Sequence, residues 1–500
     1  MFDLGRSLLA SVMRMPDAQA ISDGDKTLTY AAWQDDILAL VAGLDAAGLK
    51  RGDHFVTVLQ NRYEAATLHM AAQIAGLAIT PLNWRASKEE LDYVLNDAEA
   101  KTVVFEDATR EIVATDIPGI NVDQDWEGLL SHTAAKAATR ANVQDISVML
   151  YTSGTTGRGK GVPRRQGAER AAALAHVAQN QYARGEVTLG VMPLYHTMGV
   201  RSLLASVLIN GHFVCQRRYD PGEALALIAL HRITNLYLVP TLYHDLLNCP
   251  DFAAADVSSV RKLGFAGQAM TDGLLQDLER AFAPELFVNH YGSSEIYTFT
   301  IEPKAAAKPG SAGKAGLNQE IRIIALDARG PDDLVTGSEE GQIIAALDGD
   351  ESFEGYWKRP DADKKSLHDG WYYTGDIGYR DEEGDIFVTG RTDDMIISGG
   401  ENILPVEIES VLSLHESVAE VAVVGLPDPR WGQVVTAFIV RRASTDGDVD
   451  QGDLDKWCLK SDLPPFKRPR AYVFIKSVPK SPVGKILRRM LVDGEYTTDT

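Results

Sequence analysis

The sequence predicts an α/β protein with a large N-terminal domain and a small α+β C-terminal domain. Its 500 residues, 45% of them hydrophobic, are enough for a large core and too many for one ordinary domain. Helical and strand patterns alternate through the first half, which is typical of sheets covered by helices. From residue 310 onward short strands and turns replace that alternation, which predicts a β-rich subdomain.

The predicted elements follow one another along the chain. An amphipathic helix is expected at the N-terminus, where charged residues interrupt the apolar ones and no signal-peptide layout is visible. Residues 30–48 have helical spacing, 53–60 form a strand pattern, and 63–80 give a helix and then a strand. After the polar, Gly-rich passage 391–405 we expect a small domain. Its helices are predicted within 405–415 and 453–461, and its strands within 418–426, 434–442 and 471–478.

Charge and cysteine content limit the partners. Lys and Arg number 49 against 70 Asp and Glu, so the net charge of −21 disfavours nucleic acid and anionic membrane surfaces. Cys215, Cys249 and Cys458 are few and far apart, which disfavours a disulfide framework and favours the cytoplasm. No apolar stretch is long enough for membrane insertion. The sequence leaves a homodimer open.

The stretch YTSGTTGRGKGVPRR, residues 151–165, nearly contains a Walker phosphate loop. Gly159 and Lys160 fit that motif, but Gly161 stands where a Ser or Thr hydroxyl would meet magnesium. Flexible backbone, hydroxyls and the Lys160 charge still suit phosphate. A solvated turn and a P-loop phosphotransferase are the alternatives. The second is disfavoured because no Walker B-like acid follows an apolar strand nearby.

Four further motifs follow in a fixed order: NHYGSSE (289–295), WYYTGDIG (371–378), GRTDDMIISGGENI (390–403) and PKSPVGKILRR (479–489). Glu295 is a hard oxygen ligand suited to magnesium, and Asp376 can accept hydrogen bonds from two ribose hydroxyls. Together with the loop, these motifs resemble the adenylate-forming enzymes. That family includes acyl-CoA ligases, luciferases and peptide-synthetase adenylation domains.

The resemblance covers essentially the whole chain and implies two half-reactions in one pocket. A carboxylic acid and ATP give an acyl-adenylate and pyrophosphate, and the thiol of coenzyme A then displaces AMP. ATP, Mg²⁺ and coenzyme A are therefore the expected cofactor and co-substrates. An adenylation domain is implied over residues 1–392 and a mobile C-terminal domain over 393–500, with Asp393 as the hinge.

The resemblance assigns the nucleotide site residue by residue. Tyr291 stacks on adenine, Glu295 holds magnesium and Arg391 contacts the ribose. Lys160 meets the leaving phosphates, and Lys485 bridges the carboxylate and the α-phosphate. Gly159 departs from the Pro that is usual in the family. The implied ATP and AMP contacts are Thr152, Ser153, Gly154, Thr155, Thr156, Gly157, Lys160, Gly267, Gln268, Asn289, His290, Tyr291, Gly292, Ser293, Ser294, Asp376 and Arg391.

The segment MPLYHTMG resembles the benzoate ligases, especially the 4-chlorobenzoate enzymes, and places His196 beside the acyl ring. His196 joins Lys485, Glu295 and Lys160 as an expected catalytic residue. The implied acyl pocket consists of His196, Thr197, Met198, Gly199, Ala266, Gly267, Ile296, Tyr297 and Thr298. Apolar area with a few hydroxyls suits a small aromatic acid, and His290 and Gln268 add polar capacity for a hydroxylated one.

Other readings of the substrate and of the activity stay open at this point. The same chemistry on a short or medium aliphatic or dicarboxylic acid is the alternative, with His290 or Arg201 as partner for a second carboxylate. Luciferase-like oxidation of the adenylate also stays open. An inactive binding homologue is disfavoured because the expected catalytic residues are all present.

The segments DPRWGQ and PPFKRPRAY resemble CoA ligases that act on benzoates. By that resemblance Trp431 and Phe466 flank the CoA adenine and Arg468 meets a phosphate. Gly399 and Gly400 match the turn that lines the pantetheine tunnel, where a side chain would block passage. A core Trp and Phe beside solvated charges is the alternative.

Overall fold

The computed structural model describes residues 2–113, 116–152, 159–442, 449–480 and 486–499. Within them the helices are α1 Leu4–Arg14, α2 Tyr30–Ala46, α3 Tyr63–Ala75, α4 Lys88–Asp97, α5 Val122–Leu130, α6 Gln166–Gln179, α7 Thr197–Leu208, α8 Pro221–His231, α9 Pro240–Leu247, α10 Asp272–Phe282, α11 Pro360–Ser366, α12 Pro405–Ser413, α13 Gln451–Lys460 and α14 Arg488–Val492.

The strands of the described residues are β1 Gln19–Asp23, β2 Lys26–Thr29, β3 His54–Val58, β4 Ala78–Pro81, β5 Thr102–Phe105, β6 Gly119–Asn121, β7 Ile146–Thr152, β8 Lys160–Arg165, β9 Val187–Gly190, β10 His212–Cys215, β11 Asn235–Leu238, β12 Lys262–Ala266, β13 Leu286–Tyr291, β14 Thr300–Glu302, β15 Ser311–Ala315, β16 Ile321–Ile324, β17 Gly341–Ala346, β18 Leu367–His368, β19 Trp371–Arg380, β20 Ile386–Arg391, β21 Ile396–Ser398, β22 Glu401–Ile403, β23 Val418–Asp428, β24 Gly432–Arg441 and β25 Ala471–Phe474.

A six-stranded sheet forms the first part of the fold, in the order β6-β5-β3-β4-β7-β8. Its strands are parallel up to β7, and β7 and β8 pair antiparallel. Helices α1, α2, α3 and α5 pack together beside it. Side chains such as Trp33, Phe55 and Leu68 are almost completely buried in the shared core. The predicted helix-covered sheet is therefore confirmed.

A larger sheet carries the next part of the chain, in the order β16-β17-β19-β20-β15-β14-β13-β12-β11-β9-β10-β1-β2, with β18 on β19. Strands β10, β9, β11, β12 and β13 are parallel, so their carboxyl ends meet at one edge. From β14 onward the pairing is antiparallel. This change confirms the short β-strands and turns that the sequence predicted from residue 310 onward.

The last part of the chain forms its own sheet, in the order β22-β21-β24-β23, with β25 parallel to β24. Helix α12 packs on β23 and on α13. The apolar core of this unit includes Ile408, Leu412, Val423 and Phe438, all fully buried. Among the described residues, no strand of this sheet pairs with a strand before Ile396.

Local signals explain where several helices begin and end. The Thr29 side chain accepts a hydrogen bond from the Ala32 N–H and caps α2. Ser87 and Glu90 form a reciprocal capping box at α4. Gly76 ends α3 with φ of 72°, the left-handed conformation that favours glycine. In the described part of the chain, no helix is both long and apolar enough to cross a membrane.

Candidate active site

The Walker-like loop connects two antiparallel strands. Thr152, the last residue of β7, pairs with Lys160, the first residue of β8. A P-loop runs instead from a strand into a helix, whose N-terminus receives the phosphate. The hairpin is therefore incompatible with the phosphotransferase alternative. The expected contacts Ser153, Gly154, Thr155, Thr156 and Gly157 lie outside the described residues.

Close packing explains both glycines beside Lys160. A Cβ at Gly159 would lie 2.8 Å from the Thr152 carbonyl oxygen, which leaves no room for the Pro usual in the family. A Cβ at Gly161 would lie 3.1 Å from the Cβ of Trp357, whose N–H donates to the Gly161 carbonyl oxygen at 2.9 Å. The residue after Lys160 is thus held by a packing contact and offers no hydroxyl.

Tyr356 joins the two charged residues expected at the phosphates. Its hydroxyl donates to Glu295 Oε1 at 2.6 Å, and Lys160 Nζ lies 4.0 Å from the centre of its ring. Glu295 is only 6% exposed, and its carbonyl oxygen accepts from Arg164 Nη1 at 2.7 Å. Sequence reasoning missed Tyr356 because it lies in none of the motifs.

The charge of Lys160 depends on its surroundings. Burial lowers the pKa of Lys160, whereas the Glu295 carboxylate acts to raise it. A phosphate beside Lys160 would add negative charge and favour the protonated amine further. The pair is therefore suited to a polyphosphate: a cation for the phosphate oxygens beside a carboxylate that is a hard ligand for Mg²⁺.

Three residues expected at the nucleoside lie together although they are far apart in sequence. Asp376 on β19 and Arg391 on β20 are register partners, and Arg391 Nε lies 3.5 Å from Asp376 Oδ1. The Tyr291 hydroxyl, at the end of β13, donates to Asp376 Oδ2 at 2.5 Å. Burial would lower the pKa of Arg391, but Asp376 and Tyr291 raise it above its usual value. The Asp376 carboxylate can accept hydrogen bonds from ribose hydroxyls, and the Arg391 guanidinium can donate to ribose oxygens. The Tyr291 ring beside them suits a stacked base.

The turns after β12 and β13 supply the remaining expected nucleotide contacts. Gly267 follows β12 with φ of +90°, and Gln268 is half-buried beside it. A Cβ at Gly292 would lie 2.1 Å from the Tyr297 carbonyl oxygen, so only glycine fits there. These turns lie at the carboxyl ends of parallel strands, where open α/β sheets bind ligands. Asn289 donates to the Ser311 carbonyl oxygen at 2.8 Å, Ser293 accepts from the Glu295 N–H at 3.2 Å, and Ser294 is half-buried.

His196 caps the helix that leads into the expected acyl pocket. Its Nδ1 accepts from the Met198 N–H at 3.4 Å at the start of α7. Burial, and then the charge of Arg201, lower the pKa of His196 to about 4, so the ring is neutral near pH 7. Thr197 and Met198 are buried, and a Cβ at Gly199 would lie 2.2 Å from the Pro193 carbonyl oxygen.

The other expected acyl residues lie on β12 and on the turn that follows β13. Ala266, Ile296, Tyr297 and Thr298 are all buried. Arg201 Nη1 donates to the Tyr297 carbonyl oxygen at 3.1 Å and to Thr298 Oγ1 at 2.8 Å. The sequence offered Arg201 as a partner for a second carboxylate, but its Nη groups already bind protein atoms.

A cavity of about 190 Å³ opens beside the loop that precedes His196. Among the described residues, none of those expected at the acyl group or the nucleotide line it. Tyr195, which does, directly precedes the expected acyl residue His196. Its walls carry Trp84, whose ring lies 4.0 Å from the Arg85 guanidinium, and two further arginines, Arg217 and Arg218. Guanidinium groups beside an indole ring suit an anionic ligand.

The residues expected at CoA lie in the C-terminal sheet unit. The Gly399 N–H donates to the Trp431 carbonyl oxygen at 2.8 Å, and a Cβ at Gly399 would lie 2.9 Å from the Trp431 ring. Arg468 forms an ion pair with Asp455 at 2.8 Å, while Arg470 packs 4.2 Å from the centre of the Trp431 ring. Gly400 has φ of +89°, and Phe466 is 43% exposed.

Asp393 lies exposed in the short turn Thr392–Asp394 that joins β20 to the last sheet. Next to it, Asp394 approaches Arg488 Nη1 at 3.8 Å, and Arg488 Nη2 donates to both oxygens of Glu409 at 2.8 Å. The expected catalytic Lys485 lies outside the described residues. Arg488, three residues further on, therefore ties the beginning of α14 to α12 and to this turn.

Comparison with known families gives two consecutive matches. The family described as AMP-binding enzyme matches residues 8–357. The family described as AMP-binding enzyme C-terminal domain matches residues 407–485. Together they cover most of the chain, including the hairpin at Lys160, Tyr291 and Glu295.

Individual proteins of known name are similar over nearly their full lengths. A 4-chlorobenzoate–CoA ligase from Arthrobacter sp. is 31% identical, over 96% of this chain and 93% of the relative. A long-chain-fatty-acid–CoA ligase from Bacillus subtilis is 30% identical, over 98% and 94%. The crystal structure of ATP-bound MatB from Rhodopseudomonas palustris superposes with a TM-score of 0.89 at 26% identity, over 99% of each chain. The two ligases are named for different acids, so similarity alone leaves the acid undetermined.

Proposed function

We propose a substrate class from the premise that this chain belongs to the AMP-binding enzyme family and is an AMP-forming acid–thiol ligase. The proposed substrate is a small aromatic carboxylic acid, with a hydroxylated one favoured. ATP and coenzyme A are the proposed co-substrates. Magnesium is the proposed metal, and a reducing cytoplasm the proposed compartment, which the three free cysteines suit.

One observation carries the proposed substrate. Buried polar side chains, among them Arg201 and His290, adjoin the expected acyl residues, with unpartnered atoms in the described part of the chain. A long alkyl chain that extended into this region would be buried against unpaired polar groups, which is unfavourable. Met198, Ala266 and Ile296 still offer apolar area close to His196. A short acid with an apolar body fits both properties.

In the first half-reaction a carboxylate oxygen of the acid attacks the α-phosphorus, and pyrophosphate leaves. Lys160 would stabilise the charge on the leaving phosphates, and Lys485 the charge between carboxylate and α-phosphate. Tyr291, Asp376 and Arg391 would hold the nucleoside, so that the reacting atoms meet in a fixed geometry. Glu295 would hold Mg²⁺, which neutralises phosphate charge when bound.

In the second half-reaction the CoA sulfur attacks the acyl carbonyl carbon, and AMP leaves. The C-terminal unit, proposed as residues 393–500, would rotate about Asp393 and replace Lys485 by the turn Gly399–Gly400. Trp431 and Phe466 would flank the CoA adenine. Arg470 joins Arg468 as a proposed phosphate contact, because its guanidinium lies over the Trp431 ring.

A dicarboxylic acid is the second candidate. The observation in its favour is Arg201, a guanidinium that is only 2% exposed and whose Nε has no partner among the described residues. A carboxylate could accept from that N–H. The Nη groups of Arg201 already donate to Tyr297, Thr298 and Tyr237, which leaves a second carboxylate one donor instead of a bidentate pair.

The test measures pyrophosphate release and thioester mass with ATP, Mg²⁺ and a panel of acids, with and without CoA. Substituted benzoates, short aliphatic acids, dicarboxylic acids and a long-chain acid make up the panel. We expect pyrophosphate with benzoates, and a CoA thioester only when CoA is present. Activity confined to aliphatic or dicarboxylic acids would keep the ligase chemistry and refute the aromatic substrate.

A further inference from the structure

A group of five buried polar side chains adjoins the residues expected to form the acyl pocket. This group, here called the polar floor, consists of His176, Asn180, Arg201, Tyr237 and His290. Each is at most 2% exposed, although they come from separate parts of the chain: α6 and its end, α7, β11 and β13. Five polar groups in one buried place need a reason, because burying polar groups without full hydrogen bonding is unfavourable.

Ring contacts hold the polar floor together. The His176 and His290 ring centres are 5.3 Å apart, and the Tyr237 ring lies 4.7 Å from the first and 5.1 Å from the second. The Tyr237 hydroxyl also binds Arg201 Nη2. Gly264 makes room for the group, since a Cβ there would lie 2.9 Å from the Tyr237 ring.

Asn180 determines which nitrogen of each imidazole carries the proton. Its Nδ2 donates to the His176 carbonyl oxygen at 2.8 Å, which fixes the orientation of the amide, and to His176 Nδ1 at 3.0 Å. Its Oδ1 therefore accepts, and His290 Nε2, 3.2 Å away, is the donor. In neutral rings the second nitrogens follow: His176 Nε2 carries a proton, and His290 Nδ1 offers a lone pair.

These second nitrogens have no hydrogen-bond partner among the described residues, and neither has Arg201 Nε. Unpartnered buried polar atoms are rare in native proteins. Three of them in adjoining side chains comprise two donors, on His176 and Arg201, and one acceptor, on His290. The polar floor thus carries a defined set of hydrogen-bonding atoms that the described protein groups leave unused.

The polar floor borders the expected acyl pocket on two sides. His290 is the register partner of Ala266 across β12 and β13. Arg201 donates to Thr298 Oγ1 at 2.8 Å and to the Tyr297 carbonyl oxygen at 3.1 Å. Ala266, Tyr297 and Thr298 all belong to the pocket expected from the sequence. A substrate held by these residues would therefore lie close to the polar floor.

We propose that the polar floor is a specificity site, in which His176, Arg201 and His290 recognise a hydroxyl group at the remote end of the acid. This inference rests on the proposed function. A hydroxyl oxygen accepts from His176 Nε2 or Arg201 Nε, and its proton is donated to His290 Nδ1. A halogen supplies neither bond. A second carboxylate only accepts, and would set negative charge against the His290 lone pair.

The charges around the polar floor favour a neutral hydroxyl group over a second carboxylate. Burial and the charge of Arg201 keep the pKa of both His176 and His290 well below the usual range, so both rings stay neutral near pH 7. The Glu351 carboxyl is only 1% exposed. Burial raises the pKa of Glu351, whereas the positive charge of Arg201 acts to lower it. Neutral imidazoles match a neutral hydroxyl, whereas an anion would depend on Arg201 alone.

The test compares kcat/KM for pyrophosphate release with benzoate, hydroxybenzoates and chlorobenzoates, each substituted at the same ring positions. We expect the wild-type enzyme to favour one hydroxylated acid over its hydrogen and chlorine analogues by at least about tenfold. His290→Leu should reduce that preference to about twofold or less, because the acceptor for the hydroxyl proton is lost. His290→Gln, which retains an acceptor oxygen, should restore part of the preference.

The matched control is His212→Leu, since His212 is also a buried histidine, 4% exposed, but lies on β10 outside the polar floor. It should keep the wild-type preference, and thermal unfolding shows whether each variant is folded. If aromatic acids react but His290→Leu keeps the full preference, the polar floor is refuted and the proposed function survives. If dicarboxylic acids are preferred, the hydroxyl assignment is refuted. If no aromatic acid reacts, the proposed function itself fails.

Discussion

At the scale of single residues, the site depends on a side chain that lies outside every motif. Tyr356 contacts both Lys160, at the start of β8, and Glu295, after β13. Tyr356 therefore holds the Lys160 amine and the Glu295 carboxylate at a fixed distance. Without it, that distance would depend on two flexible side chains. Its own pKa is raised by burial and by Glu295, so the hydroxyl remains a donor.

Tyr356→Phe should weaken the binding of magnesium at Glu295. The variant keeps the aromatic ring next to Lys160. The lost bond is charge-assisted and worth about 1.5–3 kcal/mol, so we expect the magnesium concentration for half-maximal pyrophosphate release to rise about tenfold or more. Tyr356→Leu should in addition raise the KM for ATP, because Lys160 loses the ring. Tyr373→Phe, on β19 and paired with the His368 ring, serves as the control. Unchanged magnesium dependence in Tyr356→Phe would contradict the role.

At the scale of elements, α14 is joined to the rest of the C-terminal unit by the buried Leu491 and by an ion pair of Arg488. Arg488 and Glu409 are 18% and 13% exposed, and the guanidinium binds both carboxylate oxygens. Burial raises the pKa of Glu409, and Arg488 opposes that rise. This pair therefore joins the beginning of α14 to α12.

Arg488→Met should destabilise the C-terminal unit by about 1–3 kcal/mol, since it leaves a largely buried carboxylate without its partner. The neighbouring Arg489 is the matched control. It is 73% exposed and pairs with Asp493 at 3.2 Å, a surface contact worth less than about 1 kcal/mol. Limited proteolysis and thermal unfolding measure the difference. Equal effects of Arg488→Met and Arg489→Met would mean that the Glu409 pair stabilises little.

At the scale of the whole molecule, buried neutral histidines make stability depend on pH. Burial lowers the pKa of His69 and of His212 to about 4, the latter with help from His231. The unfolded chain takes up these protons below about pH 6.5, and the folded chain only near pH 4. Unfolding therefore binds protons in this window, and stability falls as the pH decreases from 6.5 to 4.

Each such histidine should contribute a slope of about 1.4 kcal/mol per pH unit within that window. We expect the unfolding temperature to fall on acidification from pH 6.5, and His69→Gln to reduce the slope. His132→Gln, at an exposed position, should leave it unchanged. Calorimetry between pH 7 and pH 4.5 measures both slopes. An unfolding temperature that does not vary with pH would contradict the prediction.

The sequence by itself determined the fold class, most elements and the chemistry of the reaction. Periodicity predicted α2, β3 and α12, because helix and strand place side chains at fixed intervals and only some residues suit the buried side. The motifs around Lys160, Glu295, Asp376 and Arg391 indicated phosphate, metal and ribose contacts, since few residue types supply those groups. These properties are local, so a short stretch is enough to reveal them.

Only the tertiary structure decided how distant residues meet. The antiparallel pairing of β7 with β8 distinguishes the loop before Lys160 from a P-loop, although the two loops have nearly the same sequence. Tyr356 between Lys160 and Glu295, Arg470 over Trp431, and the two histidines joined by Asn180 all depend on contacts between elements far apart in the chain. Such contacts are set by how sheets and helices pack, and no local pattern records them, because each partner alone fits many surroundings.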